Sequence, residues 1–189
     1  MATFGVIVSC TIGFIVGTLS FQNKHSASFM LGVCDIFQTF PSFVYLIPVM
    51  MLFGITDTSV LIAVIVYATI PATRYTIEGL RSVPAGLHDA ATMSGVNKFQ
   101  RLTKIEFPLA FPHMMLGINQ TIVFALFMVI IGAFIGTEDL GQYILKALSD
   151  KNGAGIGLTL GVCVAFIALI FDNLIRTWVE KRKKHLGIA

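Results

Sequence analysis

The stretch that decides the fold runs from residue 81 to residue 108 and reads RSVPAGLHDAATMSGVNKFQRLTKIEFP. It is too polar to cross a membrane and too regularly patterned to be a loose linker. Pro84 suits the first turn of a helix, and Gly95 interrupts the pattern further along the stretch. The sequence therefore predicts two short helices separated by a break at Gly95.

The second of these helices has a narrow apolar stripe. Apolar residues return at every third position after the break, with polar and basic residues between them: Val96, Phe99, Leu102 and Ile105. This spacing is typical of one face of an amphipathic helix. The stripe is too narrow for a core helix, so we expect it to lie on the membrane surface or in the groove of a partner protein. Amphipathicity alone leaves both possibilities open.

The chain as a whole is strongly apolar. Hydrophobic types make up 56% of its 189 residues, charged types only 12%, and the mean hydropathy is +0.84. A soluble domain carries about 25% charged residues, whereas each helix that crosses a bilayer needs about 20 mostly apolar residues. The composition predicts an all-α membrane protein with little room for a soluble domain.

Five apolar runs are long enough to cross a bilayer, although the third is barely so. They cover residues 1–20, 31–53, 58–73, 109–135 and 154–175. A long polar stretch, 74–106, separates the third run from the fourth. We therefore predict a single transmembrane domain over residues 1–189, with five spans and one long loop at 74–106.

Lys and Arg predict the orientation, because they are retained on the cytoplasmic side. Most of the 13 basic residues fall in segment 21–30, in loop 74–106 and in the tail after residue 175. These segments share the cytoplasmic side if the amino terminus is outside and the carboxyl terminus inside. Only Lys146 and Lys151 then lie outside the cell, next to acidic residues.

The second span has features of a pathway wall. Pro41 and Pro48 each remove a backbone donor and bend the helix unless neighbours compensate, although a helix that merely packs around a kink fits equally well. Asp35 and Gln38, near the cytoplasmic end, could line an inner gate. Asp35 at the positive start of its helix is an equally good interpretation.

Aromatic and amide side chains give further pathway candidates. Phe40, Phe43 and Tyr45 have the chemistry of a cation–π cage for a quaternary ammonium group, but the chain contains 16 Phe, so lipid-facing or core positions are the simpler interpretation. Asn119 and Gln120 lie in the fourth span, where amides seldom face lipid. We expect them to bond across helices, with pathway lining as the alternative.

Two pairs of glycines have the spacing of close helix contacts. Gly13 and Gly17 in the first span, and Gly157 and Gly161 in the fifth, are four residues apart. Small residues at this spacing let a second helix approach closely. We expect packing sites there, either within the subunit or between two copies.

The spacing in the polar stretch resembles the EAA loop of ATP-binding-cassette importer permeases. The family pattern is Glu-Ala-Ala, three residues, Gly, nine residues, Ile, one residue, Leu, Pro. The matching residues here are Asp89, Ala90, Ala91, Gly95, Ile105, Phe107 and Pro108. Asp keeps the charge of Glu on a shorter arm, and Phe keeps the bulk of Leu.

Two other stretches resemble the permease subunits that import glycine betaine, proline betaine, choline or carnitine. The first reads DIFQTFPSFVYLIP at residues 35–48, followed by MLFG at 51–54. The second reads GINQT at residues 117–121, followed by AL at 125–126. We expect a small osmolyte of this class as substrate, with another small zwitterion or amine as the alternative.

The resemblance implies a type I importer fold in the bacterial plasma (inner) membrane. Two permease copies would form the pore, an ATPase subunit would lie under each, and a periplasmic or lipid-anchored binding protein would deliver the solute. Residues 84–106 would then be the coupling helices that enter an ATPase groove. The residues implied in that contact are Asp89, Ala90, Ala91, Gly95, Val96, Phe99, Leu102, Ile105 and Pro108.

We expect no cofactor and no catalytic, metal-binding or nucleic-acid site in this chain, with ATP and Mg²⁺ bound by the partner ATPase. Residues 136–143 imitate the start of a phosphate-binding loop but lack its Lys and its Ser or Thr. The basic residues form no patch with interleaved aromatics. A secondary transporter would show paired repeats and ionisable groups near the midplane, and neither pattern occurs here. A membrane scaffold whose loop binds another cytoplasmic partner is a second alternative, which ATPase co-purification would distinguish. An intramembrane enzyme is a third, but no Ser/His, paired-carboxylate or His/Glu metal arrangement lies within one span.

Overall fold

The computed structural model describes residues 2–133, 140–150 and 154–185, and the described chain contains helices and no strand. The helices are α1 (Ala2–Phe21), α2 (Lys24–Thr39), α3 (Phe43–Phe53), α4 (Asp57–Arg81), α5 (Ala85–Met93), α6 (Lys98–Arg101), α7 (Phe107–Ala133), α8 (Leu140–Ser149) and α9 (Ala154–His185), with a π-helical turn at Leu102–Glu106. The all-α prediction is confirmed. The end of the predicted fourth span and the start of segment 136–143 lie outside the described residues.

Four described stretches are long and apolar enough to cross a membrane: Ala2–Phe21, Asp57–Arg81, Lys98–Gly132 and Gly155–Lys181. Helices α2 and α3 meet the same criterion only as a pair, and their axes are bent by 86°. The total is therefore four, or five if the bent pair is one broken span. The predicted orientation stays a prediction.

The α2–α3 pair differs from the single bent helix that was predicted over 31–53. The helix ends at Thr39, and Phe40 is extended with φ −73° and ψ 135°. A proline disfavours helical geometry in the residue before it, so Pro41 ends α2 rather than kinking it. Pro48, in contrast, lies inside α3 without breaking it. Helix α2 also begins earlier than predicted, at Lys24.

Helix α4 runs to Arg81, well past the predicted end of the third span at residue 73. Polar side chains in this extension pair along the helix surface, with Arg74 Nε 2.9 Å from Glu78 Oε1. The opposite face stays apolar, and Leu80 is fully buried. The helix continues because its buried face continues, and the polar loop after it is shorter than predicted.

The predicted second loop helix is the beginning of a longer one. Helix α6, the π-helical turn and α7 follow one another without a gap, and Lys98–Gly132 forms one continuous candidate span. Pro108 is the second residue after the π-helical turn, so the backbone donor that it lacks falls where the hydrogen-bond pattern changes from π-helical to α-helical. The amphipathic stripe is therefore rigidly joined to a transmembrane helix.

Helix α4 forms the centre of the bundle and packs against both α1 and α7. The α1 contact is close because glycines face it. A Cβ added at Gly17 would lie 2.7 Å from Thr76 Cβ, and one at Gly13 would lie 2.9 Å from the backbone nitrogen of Thr73. The expected packing role of this glycine pair is confirmed, and the contact lies within the subunit.

Candidate functional site

Helix α5 carries the first part of the EAA resemblance. Its backbone begins directly after Pro84, as expected for a proline at a helix start. Asp89 and Ala90 are exposed, whereas Ala91 is 5% exposed. The helix therefore presents its carboxylate outward and buries a small residue on its other side.

Gly95 terminates α5 in the way the sequence indicates. Its φ is +70°, in the left-handed region that favours glycine. The Val96 N–H donates to the Ala91 carbonyl (3.1 Å), and the Gly95 N–H donates to the Thr92 carbonyl (3.1 Å). This pair of bonds is the Schellman motif, which satisfies carbonyls at the end of a helix.

Helix α6 begins with a capping box. Asn97 Oδ1 accepts a hydrogen bond from the Gln100 backbone N–H (2.8 Å), and Gln100 Oε1 accepts one from the Asn97 N–H (3.2 Å). These reciprocal bonds satisfy two donors at the helix start. Sequence analysis placed both side chains on the polar surface and missed this role, although an Asn followed three residues later by Gln is its signal.

The predicted apolar stripe is divided in the structure. Phe99 is 73% exposed, and Val96 and Ile105 are partly buried. Leu102 differs from the prediction, because it packs within the chain against a buried cluster formed by Leu80, Ala110 and Met114. The large apolar side chains that α5, α6 and the turn between them expose are Leu87, Met93 and Phe99. We call residues 85–106 the EAA segment.

A polar junction that sequence analysis missed lies at the base of the EAA segment. Glu106 is only 2% exposed, and its Oε1 accepts a hydrogen bond from Arg101 Nε (2.9 Å). His88 Nδ1 lies 3.0 Å from the same oxygen. We call these three residues the Glu106 junction; it connects α5, α6 and the π-helical turn. A single Glu in an amphipathic stretch gives no sign of burial.

The gate candidates Asp35 and Gln38 are brought together by an arginine of α4. Arg74 Nη1 donates to Asp35 Oδ1 and to Gln38 Oε1, the latter at 3.1 Å. Asp35 lies in the carboxyl-terminal half of α2, so its interpretation as a favourable helix-start charge is wrong. The arginine instead neutralises it and ties α2 to α4.

Tyr45 is a core residue, whereas its aromatic neighbours are partly open. Its side chain is 7% exposed, and its hydroxyl donates to the Phe37 carbonyl. Its ring centroid lies 5.1 Å from that of Tyr67, which stacks on Phe124 at 4.7 Å. Phe37 and Phe40 meet at 5.9 Å. The rings in contact at the bend are thus those of Phe37, Phe40 and Tyr45, whereas the predicted three included Phe43 in place of Phe37. Pro41 and Pro48 are exposed.

Asn119 bonds across helices, as expected. It is 4% exposed, and its Nδ2 donates to Asp172 Oδ1 of α9 at 2.5 Å. Arg176 Nε donates to both oxygens of the same carboxylate, at 2.9 and 2.8 Å. The neighbouring Gln120 is partly buried. Asn119 therefore anchors α9 to α7.

The fold is similar to that of chains in solved ABC transporter structures. One chain from inward-facing conformations of the MetNI methionine ABC transporter aligns with a TM-score of 0.78 at 18% identity, covering 96% of this chain and 92% of that one. A chain of an amino acid ABC transporter with histidines aligns with a TM-score of 0.71 at 17% identity. The predicted type I importer permease fold is confirmed.

Curated relatives agree with the fold. The chain is 89% identical over its whole length to the trimethylamine N-oxide transport system permease protein TmoV of Pelagibacter ubique (strain HTCC1062), of which it covers 26%. It is 45% identical to the protein of that name from Ruegeria pomeroyi, covering 28%. It is 30% identical to the carnitine transport permease protein OpuCD of Listeria monocytogenes, covering 81%. The chain thus spans about a quarter of the length of the first two relatives.

Nearly the whole chain matches one family of transport proteins. Residues 9–185 match the family described as binding-protein-dependent transport system inner membrane component. The match covers the EAA segment, the α2–α3 bend and every candidate span except the first residues of α1. The chain therefore belongs to the inner membrane components of binding-protein-dependent transport systems, the permease family that the EAA resemblance predicts.

Proposed function

We propose that this chain forms part of the translocation pathway of an ATP-driven importer for small methylated amines, with trimethylamine N-oxide as the first candidate. The 89% identity to a trimethylamine N-oxide permease along the whole chain carries this proposal. The expected substrates, glycine betaine, proline betaine and choline, remain in the same chemical class.

The substrate class follows from what the relatives have in common. Their names specify trimethylamine N-oxide, glycine betaine, proline betaine and carnitine. Each of these solutes has a nitrogen that carries methyl groups and no N–H. A pathway for such solutes needs apolar or aromatic walls rather than hydrogen-bond acceptors aimed at nitrogen. The partly exposed rings of Phe37, Phe40 and Phe43 at the α2–α3 bend suit this need.

We assign the ATPase contact to the EAA segment. Its exposed apolar side chains, Leu87 at 40%, Met93 at 90% and Phe99 at 73%, lie close in sequence to the exposed carboxylate of Asp89. Apolar anchors surrounded by polar groups are characteristic of a docking surface. The chain would hydrolyse no ATP itself, and two ATPase subunits would serve two permease copies.

Among the pathway candidates we retain those whose side chains are accessible. Asp35, Pro41 and Pro48 are exposed at the bend, and Gln38 contacts Arg74 beside them. Tyr45 and Asn119 support the bundle through contacts between helices, and we give them a scaffold role. Gln120 is partly buried and stays a pathway candidate.

Uptake of labelled trimethylamine N-oxide tests the proposal. The chain is expressed with its ATPase and binding protein, in parallel with an ATPase variant that binds but does not hydrolyse ATP. We expect uptake only with the active ATPase, and competition by unlabelled glycine betaine if the class is shared. An assembled complex that hydrolyses ATP but transports none of these solutes would refute the substrate class alone. Failure of any ATPase to co-purify would refute the importer assignment.

A further inference from the structure

The Glu106 junction buries a carboxylate and gives it two side-chain partners, which an ordinary surface loop does not need. A carboxylate that is 98% shielded loses its hydration, and it is tolerated inside a protein only when charged or hydrogen-bonding partners replace the water. Here one oxygen, Glu106 Oε1, contacts both Arg101 Nε (2.9 Å) and His88 Nδ1 (3.0 Å). Because both partners meet on that oxygen, the positions of α5 and α6 are fixed by the same atom.

The backbone at this point is unusual as well. Glu106 is the last residue of the π-helical turn Leu102–Glu106, which leads directly into α7. Such turns are rare, and they occur frequently at functional sites in helices. The Glu106 side chain, which contacts α5, therefore belongs to the start of a transmembrane helix rather than to a free loop.

Helix α5 has few other attachments. Among the described elements it packs extensively against none. Its covalent connection to α6 consists of residues 94–97, and the helix ends there with Gly95 at a φ of +70°. A second covalent connection, residues 82–84, joins α5 to α4. A chain that reverses through such a turn transmits a displacement less directly than a side chain held at both ends. The His88 contact is the direct route from α5 to α7.

We propose that His88 and Glu106 form a strut that transmits the displacement of α5 into α7, with Arg101 holding the carboxylate in place. The strut rests on the proposed function, in which an ATPase moves α5. His88 and Glu106 are positioning residues: they contact neither solute nor nucleotide, and they determine how far α7 follows α5. Without the strut, α5 would still bind the ATPase but would be joined to the bundle mainly through residues 82–84 and 94–97, so α7 would follow it less closely.

His88→Ala is the variant that tests this role. His88 is partly exposed and its removal leaves the Arg101–Glu106 pair intact, so folding and ATPase binding should persist. The matched control is His25→Ala, an exposed histidine of α2. His88→Asn serves as the rescue, because the amide nitrogen of Asn occupies a position equivalent to Nδ1. Co-purification of the ATPase, ATP hydrolysis and solute uptake are measured on the same reconstituted complexes.

We expect His88→Ala to keep its ATPase and to transport about tenfold less solute per ATP hydrolysed, the size of a typical coupling free energy. His88→Asn should recover most of the loss, and His25→Ala should match the unaltered chain. A second test combines His88→Ala with Glu106→Gln; the two losses should be strongly non-additive because the residues act through one contact.

Other outcomes separate the strut from the proposed function. Unchanged transport per ATP in His88→Ala, or loss of ATPase co-purification in that variant, would overturn the strut and leave the importer assignment standing. Equal losses in His25→Ala would also overturn it, since the effect would then not depend on the junction. An unaltered chain that neither binds an ATPase nor transports would overturn the proposed function and the strut together.

Discussion

Gly95 carries a conformational requirement that no other residue type meets as easily. A left-handed backbone costs L-residues about 1–2 kcal/mol, and Gly95 adopts it with a φ of +70°. Two hydrogen bonds close the end of α5 around it, from Val96 and from Gly95 itself. The direction in which the chain leaves α5 therefore depends on this one residue.

Gly95→Ala should destabilise the end of α5 by about 1 kcal/mol and lower solute uptake per ATP hydrolysed. Space is not the cause, because a Cβ at Gly95 would meet nothing within 4 Å. Gly86→Ala is the control: that glycine also has open space around it but lies inside α5, where Ala is the better helix former. Equal uptake by the two variants would contradict a role for the left-handed turn.

Single residues also show which features the sequence can predict and which it cannot. The spacing of Asp89, Gly95 and Pro108 could be read directly, because a motif is a pattern of positions along the chain. The burial of Glu106 could not be read, since it depends on His88, which returns to it only after the turn at Gly95 has formed. A lone Glu that follows basic residues in an amphipathic stretch is more often solvated.

The contact between α1 and α4 depends on small residues. At Gly13 a Cβ would overlap Ala72 Cβ and lie 2.9 Å from the Thr73 backbone nitrogen. Backbone atoms cannot turn aside as a flexible side chain can. The two helices would have to separate to admit even one methyl group.

Gly13→Ala should therefore lower the stability of the detergent-solubilised protein by roughly 1–3 kcal/mol, the usual cost of overpacking. Gly161→Ala is the matched control, since a Cβ at Gly161 in α9 would meet nothing within 4 Å. Thermal unfolding midpoints of both variants provide the comparison. A midpoint for Gly13→Ala at or above that of Gly161→Ala would show that α1 and α4 are not in close contact.

The bond between Asn119 and Asp172 attaches α9 to α7. Interhelical hydrogen bonds in membranes contribute about 0.6 kcal/mol on average and up to roughly 1.7. The Oδ1 of Asn119 is buried and has no partner among the described residues, so removing the side chain also removes an unsatisfied acceptor. Asn119→Ala should thus reduce stability only modestly, by about 0.5 kcal/mol.

Asn173→Ala controls for the loss of an amide, because Asn173 is exposed on the same helix as Asp172. Its unfolding midpoint should equal that of the unaltered protein. Asp172→Ala should have a larger effect than Asn119→Ala, since it leaves Arg176 without the carboxylate that accepts both of its short hydrogen bonds. The reverse order would contradict the anchoring role of this group.

Helix boundaries were harder to predict than helices. The break at Pro41 comes from the backbone of a proline inside an apolar run, whereas the extension of α4 to Arg81 consists of polar residues that continue a buried face. A hydropathy pattern ends where polar residues begin, whereas a helix ends where its backbone bonds or its buried face end. The EAA segment shows the same effect, because its second helix looked separate from α7 only through its polarity.

The whole molecule is organised around α4, which packs against α1 on one side and α7 on another. The central position of α4 could not be predicted, but the fold could, at the level of the family, since the EAA spacing and five apolar runs indicate it. It is retained in solved permeases at 18% identity, because helix order and length constrain a bundle more than individual side chains do. The bend between α2 and α3 and the Glu106 junction could be recognised only in the three-dimensional structure.

The last prediction concerns the orientation in the membrane, and one long helix provides a direct test of it. Among the described residues between Lys98 and Lys146, Lys98–Gly132 is the one candidate span, so we expect these two exposed lysines to lie on opposite sides. In a variant without Cys10, Cys34 and Cys163, we expect Lys146→Cys to react with an impermeant thiol reagent in intact cells. Lys98→Cys should react only after lysis, because basic residues are retained in the cytoplasm.

The two cysteine variants control for each other. The reverse labelling pattern would invert the predicted orientation and place the EAA segment outside the cell, where no ATPase could reach it. Labelling of both positions in intact cells would show that Lys98–Gly132 does not cross the membrane as one span. Protection of Lys98→Cys together with labelling of Lys146→Cys would put Asp89, Met93 and Phe99 on the side where ATP is hydrolysed, as a coupling surface requires.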